Sequence, residues 1–240
     1  MIKADFHIHV QGDPKDDFIK YSLFDLIDQA VFENFSVIAV TNHRQIFDTA
    51  KAKQYAADNN ILLISGIEHE VKGVHVIVLW PHEDILKVNS FAQLLKYRKQ
   101  HPESFIIAPH PYYPWFSCLN WRLKKHYKCF DAVEYSHMYL SFFNLPNKLA
   151  ISTAKKLNIP VLGSSDLHYL KYFGTTYTVL NIDCTDEQQV RAALKDGNFS
   201  FSSSPVSIKR CCFFILEVVK SLTYRIPTRF IKQAFKQAAR

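Results

Sequence analysis

Histidine and carboxylate side chains recur in this sequence at spacings that suit metal ions. Asp5, His7 and His9 form a D-x-H-x-H run. Alternation along an extended strand puts both imidazoles of H-x-H on one face, where both can reach one ion. Asp166 and His168 repeat that spacing in Ser165-Asp166-Leu167-His168. Between them stand His43 in Val-Thr-Asn-His, Glu68 in Gly-Ile-Glu-His-Glu, His75, and His110 in Ile-Ala-Pro-His-Pro. Imidazole and carboxylate are ligands of zinc, manganese and iron. A cluster of such ions lowers the pKa of bound water toward neutrality, polarises a phosphoryl oxygen and holds attacking and leaving oxygens in line. That is the chemistry of phosphate ester hydrolysis, with a metal-bound hydroxide as nucleophile. No rival nucleophile stands out. G-x-S-x-G and G-x-x-x-x-G-K-[ST] are both absent, and Ser164-Ser165 has no separate base.

These residues need elements that bring them together. Short β-branched runs alternate with helical patterns. Strands are expected at Ala4–His9, Val37–Thr41, Ile61–Ser65, His75–Trp80, Phe105–Ala108, Ala132–Tyr135, Pro160–Gly163 and Tyr177–Ile182. Helices are expected at Ser22–Asn34, Asp48–Asn59, Ser90–His101, Leu145–Leu157 and Asp186–Asp196, four of them starting at Asp or Ser as capping prefers. Leu23, Leu26, Ile27, Ala30 and Val31 give the first helix an apolar face. The alternation predicts an α/β fold with parallel strands and outer helices, a barrel or a doubly wound sheet. Nearly all the ligand candidates fall at strand ends, Glu68 following the third. In a parallel barrel those ends share one face, where active sites are built.

The order of these motifs resembles the PHP family, named for its polymerase and histidinol phosphatase members. The matching pieces are Asp5-Phe6-His7-Ile8-His9, Ala39-Val40-Thr41-Asn42-His43, Gly66-Ile67-Glu68, Ala108-Pro109-His110-Pro111 and Ser165-Asp166-Leu167-His168. The resemblance spans about residues 3–204, with Ala192–Ser202 similar to the family's closing helix and strand. It implies a distorted (β/α)7 barrel holding two or three divalent ions (Mn, Zn or Fe). By resemblance, His7, His9, Glu68 and Asp166 hold the first ion. His43, His168 and an acidic residue after H-x-H hold the second, and Glu68, His75 and His110 the third, with Glu68 bridging. Asp13 is the chosen acidic residue; Asp16 or Asp17 could replace it. The family commonly has Asp where this chain has Asn42, which is expected to tune the site without changing the metal count.

Other groups have weaker claims. Arg44 could pair with a substrate phosphate, and His137 lies near a strand end as a general acid or substrate contact. The aromatic run Pro111–Phe116 reads as a pocket wall or lid, or as a packed loop over the barrel mouth. His69 should point away from the cluster by alternation, and Glu70 has no counterpart in the family pattern. His82, His101 and His126 read as surface residues.

The chain has 240 residues, 48% hydrophobic and 21% charged, which excludes a disordered segment or a disulfide-stapled miniprotein. No apolar run approaches the ~20 residues a membrane span needs. An N-terminus without an apolar h-region and five cysteines without C-x-x-C point to a reducing, cytoplasmic setting. Residues 205–240 carry eight Lys and Arg against Glu217 alone, which accounts for the whole net charge of +7. The expected division is a barrel over 1–204 and a short basic, amphipathic helical extension over 205–240. That extension is a candidate contact for an anionic membrane surface or an acidic partner, with peripheral membrane attachment. The expected function is metal-dependent hydrolysis of a small phosphorylated substrate or nucleotide. The alternatives are a nuclease or exonuclease acting on nucleic acid ends, and a non-catalytic binding subunit.

Overall fold

The computed structural model describes residues 1–183 and 185–207. The expected basic helix, and with it the proposed membrane or partner contact, lies outside the described residues. Along the chain run β1 (Ile2–Ile8), α1 (Leu23–Phe32), β2 (Val37–Val40), α2 (Ala50–Asp58), β3 (Leu62–Val71), β4 (Val74–Leu79) and α3 (Phe91–Gln100). There follow β5 (Phe105–Ala108), α4 (Trp121–His126), β6 (Ala132–Ser136), α5 (Leu145–Leu157), β7 (Val161–Ser164), β8 (Thr176–Leu180), α6 (Glu187–Lys195) and β9 (Phe199–Ser203). No helix among the described residues is long and apolar enough to cross a membrane.

The strands form one nine-stranded sheet in the order β7-β6-β5-β4-β3-β2-β1-β8-β9. The pairs β1–β2, β2–β3, β5–β6 and β6–β7 are parallel. β4 is antiparallel to both neighbours, which corrects the all-parallel expectation. The cause is local: Lys72 and Gly73, at φ 53° and 77°, make a tight hairpin turn that leaves no crossover helix. β3 also runs on to Val71, so Glu68 lies inside that strand and does not follow it. Because β4 runs backwards, its first residues reach the rim where the parallel strands end. His75 thereby joins that rim.

The sheet curls until its ends meet. β8 pairs with the first half of β1, Ile2 opposite Leu180 and Ala4 opposite Thr178. The second half of β1 is taken by the chain leaving β7, where the His9 N–H donates to the Leu167 carbonyl at 3.0 Å and the Leu167 N–H to the His7 carbonyl at 3.1 Å. At the seam a Cβ on Gly163 would lie 2.9 Å from Phe201 Cβ, so only glycine allows this approach.

The sequence of β1 also explains how its histidines are aimed. Ala4 and Phe6 pack with Val37, Ala39, Ile64 and Ile77. Ile8, two residues on, packs instead with Ile38 and Val40 beneath α1. The register of β1 against β2 shifts between Asp5 and Ile8. Such an irregularity re-aims side chains, and here it turns His7 and His9 inward. Outside, α1 starts with a capping box: the Asp25 N–H donates to Ser22 Oγ at 3.2 Å, and the Ser22 N–H to the Asp25 carboxylate at 2.7 Å. Its apolar stripe is Leu23, Leu26, Ile27 and Ala30; Val31, expected on it, is exposed.

Candidate metal centre

Glu68 sits at the middle of the rim, 2% exposed. Five imidazoles approach its carboxylate. His75 Nδ1 is 2.7 Å and His110 Nε2 3.3 Å from Oε1, with His7 Nε2 at 3.5 Å. His43 Nε2 is 2.8 Å and His9 Nε2 3.3 Å from Oε2. Asp166 Oδ1 lies 3.2 Å from His7 Nε2 and 3.5 Å from His9 Nε2. His168 stands at the edge, its Nε2 3.2 Å from Asp16 Oδ2. The backbone is strained at two of these positions, His110 with φ 29° and Asp166 with φ 46°, a cost usually tolerated where a site needs it.

The candidate carboxylates after H-x-H divide the work. Asp13 is buried and ringed by donors: its Oδ2 accepts the His43 N–H and lies 2.8 Å from His9 Nδ1, while its Oδ1 accepts the Lys15 and Asp16 N–H groups. It fixes the loop and the ring of His9. Asp16 Oδ2 faces both His168 and, at 3.4 Å, His43 Nδ1. Asp17 is exposed.

Charge is concentrated here. Burial alone would lower the pKa of His7, but Asp166, Glu134 and Glu68 outweigh it and raise the group to about 10. His9 and His110 are likewise raised against their burial by hydrogen-bonding partners. Burial would raise Glu68 and Asp166, yet the surrounding histidines hold both well below the usual carboxylate range. Two contacts fit shared metal ligands better than they fit each other. His7 Nε2 and His9 Nε2 face one another at 3.1 Å. His75 Nδ1, 2.7 Å from Glu68, is not aligned for a hydrogen bond. Metal bonds of about 2.0–2.2 Å place neighbouring ligand atoms about 3 Å apart. The nitrogen and oxygen donors of His7, His9 and Asp166 lie within 4.8 Å of one another, as do those of His7, Glu68 and His110, of His9, His43 and Glu68, and of Asp13, Asp16 and His43.

The two weaker candidates separate. His137 is buried beside the cluster, its Nδ1 without a hydrogen-bond partner, and burial lowers its pKa to about 4. Arg44 is largely exposed and pairs with Glu70. His69 turns away, its Nε2 2.6 Å from the Val88 carbonyl. In the aromatic run, Tyr113 is buried and its hydroxyl donates to the Met138 carbonyl, while Phe116 is fully exposed.

Residues 144–199, from α5 to the start of β9, match the PHP-associated family model. Three solved structures share the fold. A two-domain protein from Bacteroides vulgatus, containing a predicted PHP-like metal-dependent phosphoesterase, superposes with TM-score 0.63 at 18% identity. The match covers 84% of this chain and 64% of that one, so this chain spans less than two thirds of it. PsfC from Pseudomonas syringae gives 0.59 at 14% identity over 93% of this chain and 100% of that one. A candidate metal-dependent phosphoesterase from Bifidobacterium adolescentis gives 0.56 at 13% identity over 85% and 97%. The fold is of the PHP type. With the family match, it supports a PHP-family protein. No curated relative matches significantly.

The PHP-type barrel also contains supports around the centre, and of these Glu134 was passed over in the sequence. Glu134 is fully buried in β6. Its Oε1 lies 2.8 Å from His7 Nδ1 and accepts the Ser164 hydroxyl at 2.5 Å, and its Oε2 accepts the His110 N–H at 2.5 Å. A carboxylate between apolar neighbours in Ala-Val-Glu-Tyr was the available signal. Asp5 accepts the His7 and Ser165 N–H groups, and burial raises its pKa to about 7. Its part is to hold backbone beneath the PHP-type centre. Asn42 holds the loop after β1, its Oδ1 accepting the Val10 N–H at 2.9 Å. Lys15 Nζ lies 2.7 Å from His75 Nε2, a cation at the mouth that no motif announced.

Proposed function

We propose that the rim centred on Glu68 holds two or three divalent ions and hydrolyses phosphate esters. The observation that carries this reading is the convergence of five imidazoles on one buried carboxylate, from strands and loops far apart in sequence. The ligand groups in this reading are His7, His9, Asp166 and Glu68 for one ion, His43, His168 and Asp16 for a second, and Glu68, His75 and His110 for a third. Asp16 takes the place given to Asp13 in the sequence reading, because Asp13 Oδ1 accepts the Lys15 and Asp16 N–H groups and its Oδ2 the His43 N–H, while Asp16 faces both His43 and His168. Manganese, zinc or iron would supply Lewis-acid polarisation of the phosphoryl group and an acidified water.

The chain's own residues do the rest. Glu134 and Asp13 orient His7 and His9 through their Nδ1 atoms, leaving the Nε2 atoms free to ligate; outer carboxylates commonly fix ligating histidines this way. Lys15 adds positive charge where an anionic substrate enters, and His137, held neutral by burial, can accept a hydrogen bond beside it. A small phosphorylated substrate or nucleotide suits this arrangement. The test is a screen of manganese-loaded protein on an aryl phosphate, nucleoside monophosphates and a labelled single strand. Turnover of the monoesters supports the reading. Cleavage of the strand alone makes it a nuclease, and no turnover with metal bound makes it a binding subunit.

A further inference from the structure

A second, smaller group of metal-type side chains lies at the other end of the barrel. β4 carries His75 at the proposed catalytic rim and leaves the sheet at Leu79; β5 enters at Phe105 and ends near His110. The loops 80–90 and 101–104 therefore sit at the opposite rim. There His82 Nδ1 is 3.1 Å from Asp84 Oδ1, and His101 Nε2 is 2.9 Å from Asp84 Oδ2. The two imidazoles stack with centroids 4.6 Å apart and planes 16° apart. Donor atoms of all three residues lie within 4.8 Å of one another.

We propose that His82, Asp84 and His101 form a zinc site separate from the centre at Glu68. Three features carry it beyond chance proximity. Both oxygens of one carboxylate face one nitrogen from each ring, at spacings close to the ~3.3 Å expected between tetrahedral ligands with bonds near 2.0–2.1 Å. His101 Nδ1 lies 3.3 Å from Glu103 Oε1, so its other nitrogen is the one turned to Asp84, the arrangement that orients ligating histidines. The backbone beneath is fixed before any ion binds. The Tyr97 hydroxyl accepts the His82 N–H at 2.8 Å, the His101 N–H caps α3 on the Tyr97 carbonyl at 2.9 Å, and Ser104 Oγ donates to the Trp80 carbonyl at 2.8 Å.

His82 is 64% exposed and His101 15%, so the ion would keep an open position toward solvent. It would tie the loop after β4 to the C-terminus of α3 and stiffen the rim away from the chemistry. Harder ions that prefer all-oxygen sites are poor occupants, because two of three donors are imidazole.

The test uses the full chain, saturated with zinc, desalted and analysed for zinc per protein, beside His82→Ala and Asp84→Asn. The first replaces an exposed side chain and the second keeps the shape of Asp84, so both should fold. The expected result is one zinc fewer per chain in each variant, and a smaller rise in melting temperature on adding zinc than wild type shows, since an ion that binds only the folded state stabilises it. Equal zinc content and an equal rise in all three proteins would overturn the proposal. Neither readout depends on the protein being a phosphoesterase.

Discussion

At one rim of the barrel Glu68, His7 and His9 are buried, each held by further buried groups. At the other, His82, Asp84 and His101 bring the same chemical groups together at similar distances, with His82 and Asp84 open to solvent. At the first rim burial strips water from the charges, so carboxylates and imidazoles must satisfy one another. His7 is raised to about 10 and Glu68 held far below its usual value as a result. At the second, water shares the load, and ion pairs so exposed contribute little to stability. Residue type makes a ligand set; depth and outer supports decide whether it can run a reaction.

Breaking the buried rim at its middle should have the largest effect. Glu68→Gln removes the carboxylate that five histidines face. Its cost should exceed the ~100-fold upper range for outer supports of a metal site. Metal analysis and aryl phosphate turnover on one sample check this, and unchanged metal and turnover would break the contrast between the rims. Glu134→Gln comes next, with an expected fall of about 10–100-fold in metal affinity or turnover. It touches His7 and the His110 N–H, and supplies no proposed ligand. A variant indistinguishable from wild type would show that depth alone suffices.

Proton binding sharpens the comparison in the metal-free chain. The carboxylates around His7 outweigh its burial and favour the charged ring. That stabilisation is full below the unfolded value of about 6.5 and fades as pH rises toward the folded value. His137 has the opposite sign, because burial lowers it to about 4 and folding favours the neutral ring. Its contribution is full above about 6.5 and is lost as pH falls through the folded value. His137→Gln should therefore reduce the stability lost between pH 7 and 5 by about 2 kcal/mol, read by urea unfolding at both pH values. An acid limb as steep as wild type would contradict it. Arg44→Ala should do least. Its pair with Glu70 is exposed, so stability should change by less than about 1 kcal/mol. A rise in KM for the aryl phosphate would make Arg44 a substrate contact; an unchanged KM would leave it a rim charge.

The strand-end histidines could be read before the fold was seen because H-x-H and D-x-H carry strand periodicity with them. Their convergence followed from a barrel. What could not be read was the reversal of β4, which depends on two residues, Lys72 and Gly73, adopting positive φ. With β3 taken to end at Ser65, Glu68 looked like a loop residue, although it is a strand residue paired with Ile77. The reason for proposing Asp16 in place of Asp13 was equally closed to the sequence. It rests on which oxygens the loop's own N–H groups occupy, and composition holds no trace of that. Glu134 was hidden differently. It has no partner nearby in the chain, and its value comes from His7, 127 residues away.

A multinuclear hydrolytic centre at the buried rim requires metal and turnover to come and go together. The direct measurement strips the full-length protein of metal, reloads it with manganese, and records manganese per chain and aryl phosphate hydrolysis together. The expected result is more than one ion per chain, with hydrolysis absent from the stripped protein and restored on loading. Folded protein that binds no manganese, zinc or iron, or that hydrolyses the ester equally well when stripped, would contradict it.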